Sequence, residues 1–194
     1  MKNRIITISR EFGSGGRTIG KEAAAKLGIP CYDEELIEKI AQKSGFAEAY
    51  VKERGEYAVT GSWFGNALAG RDFNGHSMQD ELWNTQRAVI LNLAEKGPCV
   101  IVGRCADFIL KDTADCLTVF IHASMEKRAD RIVRLYGERK DAPEKRLADK
   151  DKRRKAYYQQ YTDTEWGAAK NYHLALDSGA LGIERCIQLI VDLY

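Results

Sequence analysis

No apolar run in the 194 residues approaches the ~20 needed to cross a bilayer. Proline occurs only three times, and the 17 glycines form no internal repeat, which excludes collagen-like and proline-rich architectures. A surplus of one charge is also missing: 30 basic residues against 28 acidic ones leave +2, weak support for bulk polyanion binding. The five cysteines (Cys31, Cys99, Cys105, Cys116 and Cys186) are odd in number, irregularly spaced and without a C-x-x-C pair. They read as buried thiols in a reducing compartment, not as a disulfide frame or zinc site. His76, His122 and His173 lack ligand spacing, so neither a metal site nor a catalytic triad is expected of them. The opening run Met1 to Ile8 is too short for a signal-peptide core. What is present, 44 % hydrophobic and 9 % aromatic residues, suffices for a real core, and the length suits one domain in the cytoplasm.

Short β-branched runs alternate with longer helical stretches. Arg4 to Ser9 predicts a first strand, Phe12 to Gly16 a glycine-rich turn, and Arg17 to Leu27 a helix ended by Gly28. Ile29 to Tyr32 predicts a brief second strand, and Asp33 caps a helix running through Lys43. Gly55 to Gly75 has no regular period and predicts a loop without an assigned role. A long helix follows from about Gln79 to Glu95, with Leu82, Val89 and Leu93 on its apolar face. Cys99 to Val102 and Cys116 to Ile121 are apolar runs of the kind found in parallel strands covered on both faces. Ser124 opens a helix reaching Tyr136, Leu174 to Leu176 forms a last strand, and Ile183 to Leu193 a last helix. The alternation argues for an α/β fold with a parallel sheet.

The glycine turn carries the chemistry, because ligands of α/β folds gather at the carboxyl ends of strands. In Gly13-Ser14-Gly15-Gly16-Arg17-Thr18 the glycines let backbone N–H groups form an anion nest, and the helix start adds positive charge. A cation and a hydroxyl at Arg17 and Thr18 would then serve phosphate oxygens and Mg²⁺. The match to G-x-x-x-x-G-K-[ST] is imperfect: Glu11 stands where the first glycine would be, and Arg17 where the lysine would be. Arginine still grips phosphate with two parallel hydrogen bonds. Glu11 would repel phosphates unless it pairs with Arg10 or Arg17 or faces a metal ion. A turn holding no ligand is the plain alternative.

Four segments, in order along almost the whole chain, resemble the cytidylate-kinase-like branch of the P-loop nucleoside monophosphate kinases. They are Ile6 to Arg17, Tyr32-Asp33, Val100 to Arg104, and Lys150 to Arg154 followed by Leu176-Asp177-Ser178. The resemblance implies a three-layer α/β/α P-loop NTPase fold with a parallel five-stranded sheet and a helical lid. It implies one domain over 1–194, with a helical acceptor-side insertion at about 45–98 and a lid region at about 137–162. It also implies ATP-dependent phosphoryl transfer, with Mg²⁺, to a nucleoside monophosphate or other small acceptor. Gly13, Ser14, Gly15, Gly16, Arg17 and Thr18 would hold the ATP phosphates, Thr18 the magnesium, Asp33 and Arg104 the acceptor, and Lys150, Arg153 and Arg154 would belong to the lid. Arg17, Asp33 and Arg153 are the implied catalytic groups. Val102 stands where the family carries an aspartate, and Arg154 where it carries an acid that contacts the acceptor ribose; these departures count against CMP as acceptor.

Each candidate has a plainer reading. Asp33 would serve equally as a helix N-cap, and Arg104 as half of a salt bridge to Asp107 or Glu95. From Gly137 to Lys155, nine basic and five acidic residues leave +4, which ordinarily marks a solvated helix surface. Tyr157, Tyr158, Tyr161, Trp166 and Tyr172 read as packing residues before base-stacking ones. Two rival functions stay open: a nucleotide-binding regulator that has lost efficient catalysis, motivated by Arg17, Glu11 and Val102, and a nucleic-acid-binding module on Arg139 to Lys155. The +2 balance and the lack of an RNA-binding motif weigh against the second. Neither the acceptor nor the oligomeric state is specified by these residues.

Overall fold

The computed structural model describes residues 4–56 and 78–194. Its strands are β1 (Arg4–Arg10), β2 (Cys31–Tyr32), β3 (Cys99–Val102), β4 (Asp115–His122) and β5 (Leu174–Asp177). The helices described are α1 (Gly16–Leu27), α2 (Glu34–Ser44), α3 (Glu48–Arg54), α4 (Met78–Lys96), α5 (Ala106–Leu110), α6 (Met125–Tyr136), α7 (Pro143–Thr162), α8 (Ser178–Leu181) and α9 (Ile183–Leu193). Of the irregular stretch read as a loop, Gly55 and Glu56 are described; the remainder lies outside the described residues.

The five strands pair in parallel in the order β2-β3-β1-β4-β5. Strand alternation sorts the core into two layers. Ile6, Ile8, Val100, Val102, Leu117, Val119 and Ile121 face α1 and α9, against Ile19, Ala23, Ile187 and Ile190. Ile5, Cys99 and Ile101 face the other way, onto Leu36 and Ile40 of α2, Val51 of α3, and Leu82, Ile90 and Leu93 of α4. The result is an α/β/α sandwich, and the apolar runs of β3 and β4 follow from burial on both sides.

Local chemistry sets the element ends. Gly28 ends α1 in the left-handed region at φ 68°, where its N–H reaches the carbonyls of Ala24 and Ala25. Ser124 accepts a bond from the Lys127 N–H to open α6, and Pro143 occupies the first turn of α7. The tail aromatics pack inward. Tyr157 and Tyr158 are buried beside Cys105, Tyr161 stacks on Trp83 with ring centroids 4.2 Å apart, and Trp166 and Tyr172 both meet Phe120. All five cysteines are free thiols, and burial pushes that of Cys99 up to about 12. Among the described residues, no helix is long and apolar enough to cross a membrane.

Helix α1 rides close to the sheet because Gly20 has no side chain. A Cβ there would stand 3.0 Å from Val102 Cγ2 and 3.1 Å from Ile8 Cδ1. Gly20→Val is expected to destabilise the fold by about 1–3 kcal/mol through overpacking, read as a lower urea midpoint at unchanged m-value.

Candidate active site

The strands all end at one edge of the sheet. β1 runs into the glycine turn, β2 into Asp33, β3 into Gly103-Arg104, β4 into Ala123, and β5 into Asp177-Ser178. Because β1 lies between β3 and β4, the chain departs to opposite sides of the sheet here, the place where α/β folds open a crevice. The cleft at this edge has a volume of about 1000 Å³, and eleven basic and five acidic side chains line it.

The turn is shaped for close backbone approach. Gly13 and Gly15 adopt φ of 82° and 86°, and a Cβ on Gly16 would lie 2.6 Å from Arg10 Cβ. Gly15 is the N-cap of α1 and no side chain caps the helix. Helix geometry therefore leaves the N–H groups of Gly16 and Thr18 without intrahelical partners, beside the cleft. Ser14 does not line that cleft: its hydroxyl bonds the Glu11 carbonyl at 2.9 Å, and its own carbonyl accepts from Ser178 Oγ at 2.6 Å. Its side chain holds the bend in shape.

Acidic side chains distribute the arginines around this turn. The sequence offered Arg10, Arg17 or a metal ion as the partner of Glu11; the structure gives it Arg128. Glu11 Oε2 lies 3.3 Å from Arg128 Nε and accepts the Ala123 N–H at 3.2 Å. The reason is topological, since α6 begins beside the end of β1 and turns Arg128 inward. Burial raises the Glu11 carboxyl above its usual value, while Arg128 and the Ala123 N–H pull it back down. Asp151 of α7 completes the knot: its Oδ1 accepts the Phe12 N–H at 2.7 Å, and its Oδ2 meets Arg128 Nη1 at 2.5 Å. An acid hidden within a basic run thus ties α7 to the glycine turn.

Arg17 and Asp33 come together, Arg17 Nε donating to Asp33 Oδ2 at 2.5 Å. Asp33 occupies the N-cap position of α2 without making a side-chain cap bond. Thr18 Oγ1 accepts from Arg131 Nη2 at 3.0 Å. Arg131, which sequence reading missed, lines the cleft one helical turn past Arg128; only the amphipathic spacing of α6 hinted at it.

Arg10, Arg104 and Arg154 converge on the acid Glu56. Arg10 grips the Glu56 carboxylate through both terminal nitrogens, and Arg154 Nη2 stands 3.4 Å from Glu56 Oε2. Arg104, buried and in the left-handed region at φ 62°, donates to the Val51 carbonyl at 2.9 Å and to Gln86 Oε1 at 3.2 Å. Asp107 accepts from the Tyr158 hydroxyl at 2.8 Å. Burial works against the charged form of Glu56, but Arg10, Arg154 and Arg104 together outweigh it and hold the carboxyl at about 2, below its ordinary 4.5.

Helix α7 presents two adjoining faces. Arg146, Asp149, Lys150 and Arg153 line the cleft, while Leu147, Arg154, Tyr157 and Tyr158 are buried. Arg154, grouped with the lid cations by resemblance, thus sits at the cleft floor, donating to the Arg10 carbonyl at 3.1 Å. Among the described residues there is no group of three or more His, Cys, Asp or Glu able to hold a metal ion. Thr18 Oγ1 and Asp33 Oδ2, which Arg131 and Arg17 engage here, are the oxygens that would serve a Mg²⁺ ion arriving with phosphates, since that ion keeps most of its water and takes one or two protein donors.

The sequence profile of the cytidylate kinase-like family matches residues 5–180. The chain belongs to the cytidylate kinase-like family. It is 23 % identical over 189 residues to a cytidylate kinase from Pyrobaculum calidifontis, covering 97 % of this chain and 91 % of that one. A crystal structure of an uncharacterized protein from Eubacterium ventriosum superposes with a TM-score of 0.73 at 25 % identity, over 97 % and 96 % of the two chains. The shikimate kinase of Acinetobacter baumannii, in complex with shikimate, shares the fold at a TM-score of 0.55 and 17 % identity, over 100 % and 93 % of the chains.

Two outcomes are expected. Asp151→Ala should destabilise the protein by about 2 kcal/mol, less than a fully severed buried pair because Arg128 keeps Glu11; thermal and urea unfolding read it. The ionised form of Glu56 stabilises the fold in full above the ordinary value of 4.5, and that contribution is lost as pH falls from 4.5 toward 2. Glu56→Gln should therefore be less stable than wild type at pH 7 and converge on it near pH 2, followed by urea unfolding across that range.

Proposed function

We propose that this protein transfers the terminal phosphoryl group of ATP to a small anionic acceptor, with a nucleoside monophosphate the favoured class. The observation that carries the reading is the meeting, in one cleft, of an uncapped helix start and a surplus of cations at the carboxyl edge of a parallel sheet. Phosphoryl transfer demands little covalent work of a protein; placement and charge neutralisation dominate. The Gly16 and Thr18 amides would bind phosphate oxygens, and Arg17 would supply a cation once its grip on Asp33 relaxes. Asp33 would orient the acceptor. Lys150 and Arg153, on the cleft face of α7, would cover the phosphates and exclude water. Thr18 and Asp33 would hold the Mg²⁺ that comes with ATP, and the ion would supply further neutralisation of phosphate charge.

The cytidylate kinase from P. calidifontis supports a nucleotide acceptor. The shikimate bound in a protein of the same fold keeps carboxylate-bearing acceptors in the test panel. A second reading, a catalytically weak nucleotide sensor, is favoured by the Arg17–Asp33 pair, in which two implied catalytic groups neutralise each other.

A coupled ADP-release assay over nucleoside monophosphates and small hydroxy acids separates the two: acceptor-dependent turnover is expected, and ATP binding without turnover for any acceptor would leave the sensor. Arg17→Ala should weaken ATP–Mg²⁺ affinity by about tenfold or more, the worth of one charge-assisted phosphate contact. Unchanged affinity by calorimetry would remove the glycine turn from this account.

A further inference from the structure

Gln86 sits on α4 with no exposed surface, the buried Leu82 one turn before it and the buried Val89 and Ile90 one turn after. An amide on that otherwise apolar face costs free energy unless its hydrogen bonds are made. Methionine would fill the same space without that demand. Gln86 does not line the cleft, so its use lies in what it holds.

Both ends of the amide meet one residue. Gln86 Oε1 accepts from Arg104 Nη1 at 3.2 Å, and Gln86 Nε2 donates to the Arg104 carbonyl at 3.3 Å. Chemistry forces this orientation: a guanidinium only donates and a carbonyl only accepts, so the amide oxygen faces the first and the nitrogen the second. The other Nε2 hydrogen serves the Tyr157 hydroxyl of α7, also at 3.3 Å. An ionised glutamate would bring two acceptors to the same place, and methionine neither a strong donor nor a strong acceptor.

The residue so held stands in a strained turn. Arg104 and Cys105 are consecutive at φ 62° and 54°, directly after β3, and such backbone persists only where its surroundings over-determine it. Gln86 clamps the carbonyl and the guanidinium of Arg104 together, from a helix anchored in the core. The end of α3 closes over the same group, since a Cβ on Gly55 would fall on Arg104 Nη1. That nitrogen also donates to the Val51 carbonyl at 2.9 Å, and Arg104 acts on the Glu56 carboxylate. Gln86 therefore sets the direction of the guanidinium, while these contacts help to keep it in place.

We propose that Gln86 is the positioning residue for Arg104: its amide fixes the left-handed turn and the guanidinium in one pose at the cleft, so that acceptor binding depends on a side chain the acceptor never touches. This deepens the phosphotransferase reading and rests on it for the acceptor, whose phosphate the family resemblance gives to Arg104. The clamp itself stands on the hydrogen bonds alone. None of the three bonds of Gln86 reaches the glycine turn, so the ATP side of the cleft is left out of its influence.

The test compares wild type, Gln86→Met and Gln86→Glu in the coupled ADP-release assay, varying ATP and whichever of AMP, CMP, GMP and UMP is turned over fastest. Nitrogen-15 NMR follows hydrogen exchange of the Arg104 guanidinium in the same proteins, with Arg104→Lys assigning the signal. Gln86→Met is expected to raise KM for the monophosphate about tenfold, the worth of one hydrogen bond to a charged group, with KM for ATP unchanged. The Arg104 hydrogens should exchange faster in that variant. Gln86→Glu keeps an oxygen for the guanidinium and loses the donor for the carbonyl, so it should raise the monophosphate KM less than methionine does. It decides the matter if the methionine variant does not fold. In a folded variant, an unchanged monophosphate KM, equal rises in both KM values, or Arg104 exchange identical to wild type overturns the proposal and leaves Gln86 a polar link within the core. If wild type turns over no monophosphate, the phosphotransferase reading fails on that result, and the exchange measurement still decides whether Gln86 holds Arg104.

Discussion

Crowding of like charge at the carboxyl edge of the sheet is the constraint on which this structure depends. A cleft lined by eleven basic side chains cannot stay folded on hydrophobic burial alone, because partly buried guanidiniums repel one another in a medium that screens them poorly. Four acids answer that problem, in three sets. Glu11 and Asp151 share Arg128, Asp33 takes Arg17, and Glu56 takes Arg10 and Arg154.

This arrangement explains why a glutamate is tolerated in a turn suited to anions. Glu11 is turned away from the helix start by Arg128 and the Ala123 N–H, and its charge is spent on the β4 side of the turn. The same Arg128 donates to the Phe12 carbonyl at 3.2 Å, so acid, arginine and backbone form one unit. Replacing the usual glycine with Glu11 thus adds a strut instead of a repulsive charge. Such a strut suits a fold with no disulfides among its five thiols.

Much of the architecture was legible because strands buried on both faces must be apolar throughout, as Cys99 to Val102 and Cys116 to Ile121 are, and because Gly28 and Gly137 mark helix ends chemically. Short α3 and α8 carried too few residues to establish a helical period. The glycine turn, Asp33 and Arg104 were readable as site candidates because each directly follows a strand. Glu56, Arg131 and Asp151 were not, for a common reason: their partners lie 46, 113 and 139 residues away in sequence, so no local spacing encodes them. Asp151 had a faint signal, since Leu147, Asp151, Arg154 and Tyr158 recur at helical spacing along α7 and place that acid on the inward face.

Arg104 and Cys105 stand consecutively in the left-handed region, at φ 62° and 54°, where a side chain costs roughly 1 kcal/mol or more per residue. Glycine would relieve the strain at Arg104 only by discarding the guanidinium that meets Val51 and Gln86. The exposed Asp163, at φ 52° just beyond α7, carries no such obligation. An engineer seeking a hardier protein therefore finds Asp163 permissive and Arg104 forbidden at the same backbone geometry, so a generic rule for left-handed positions cannot serve both.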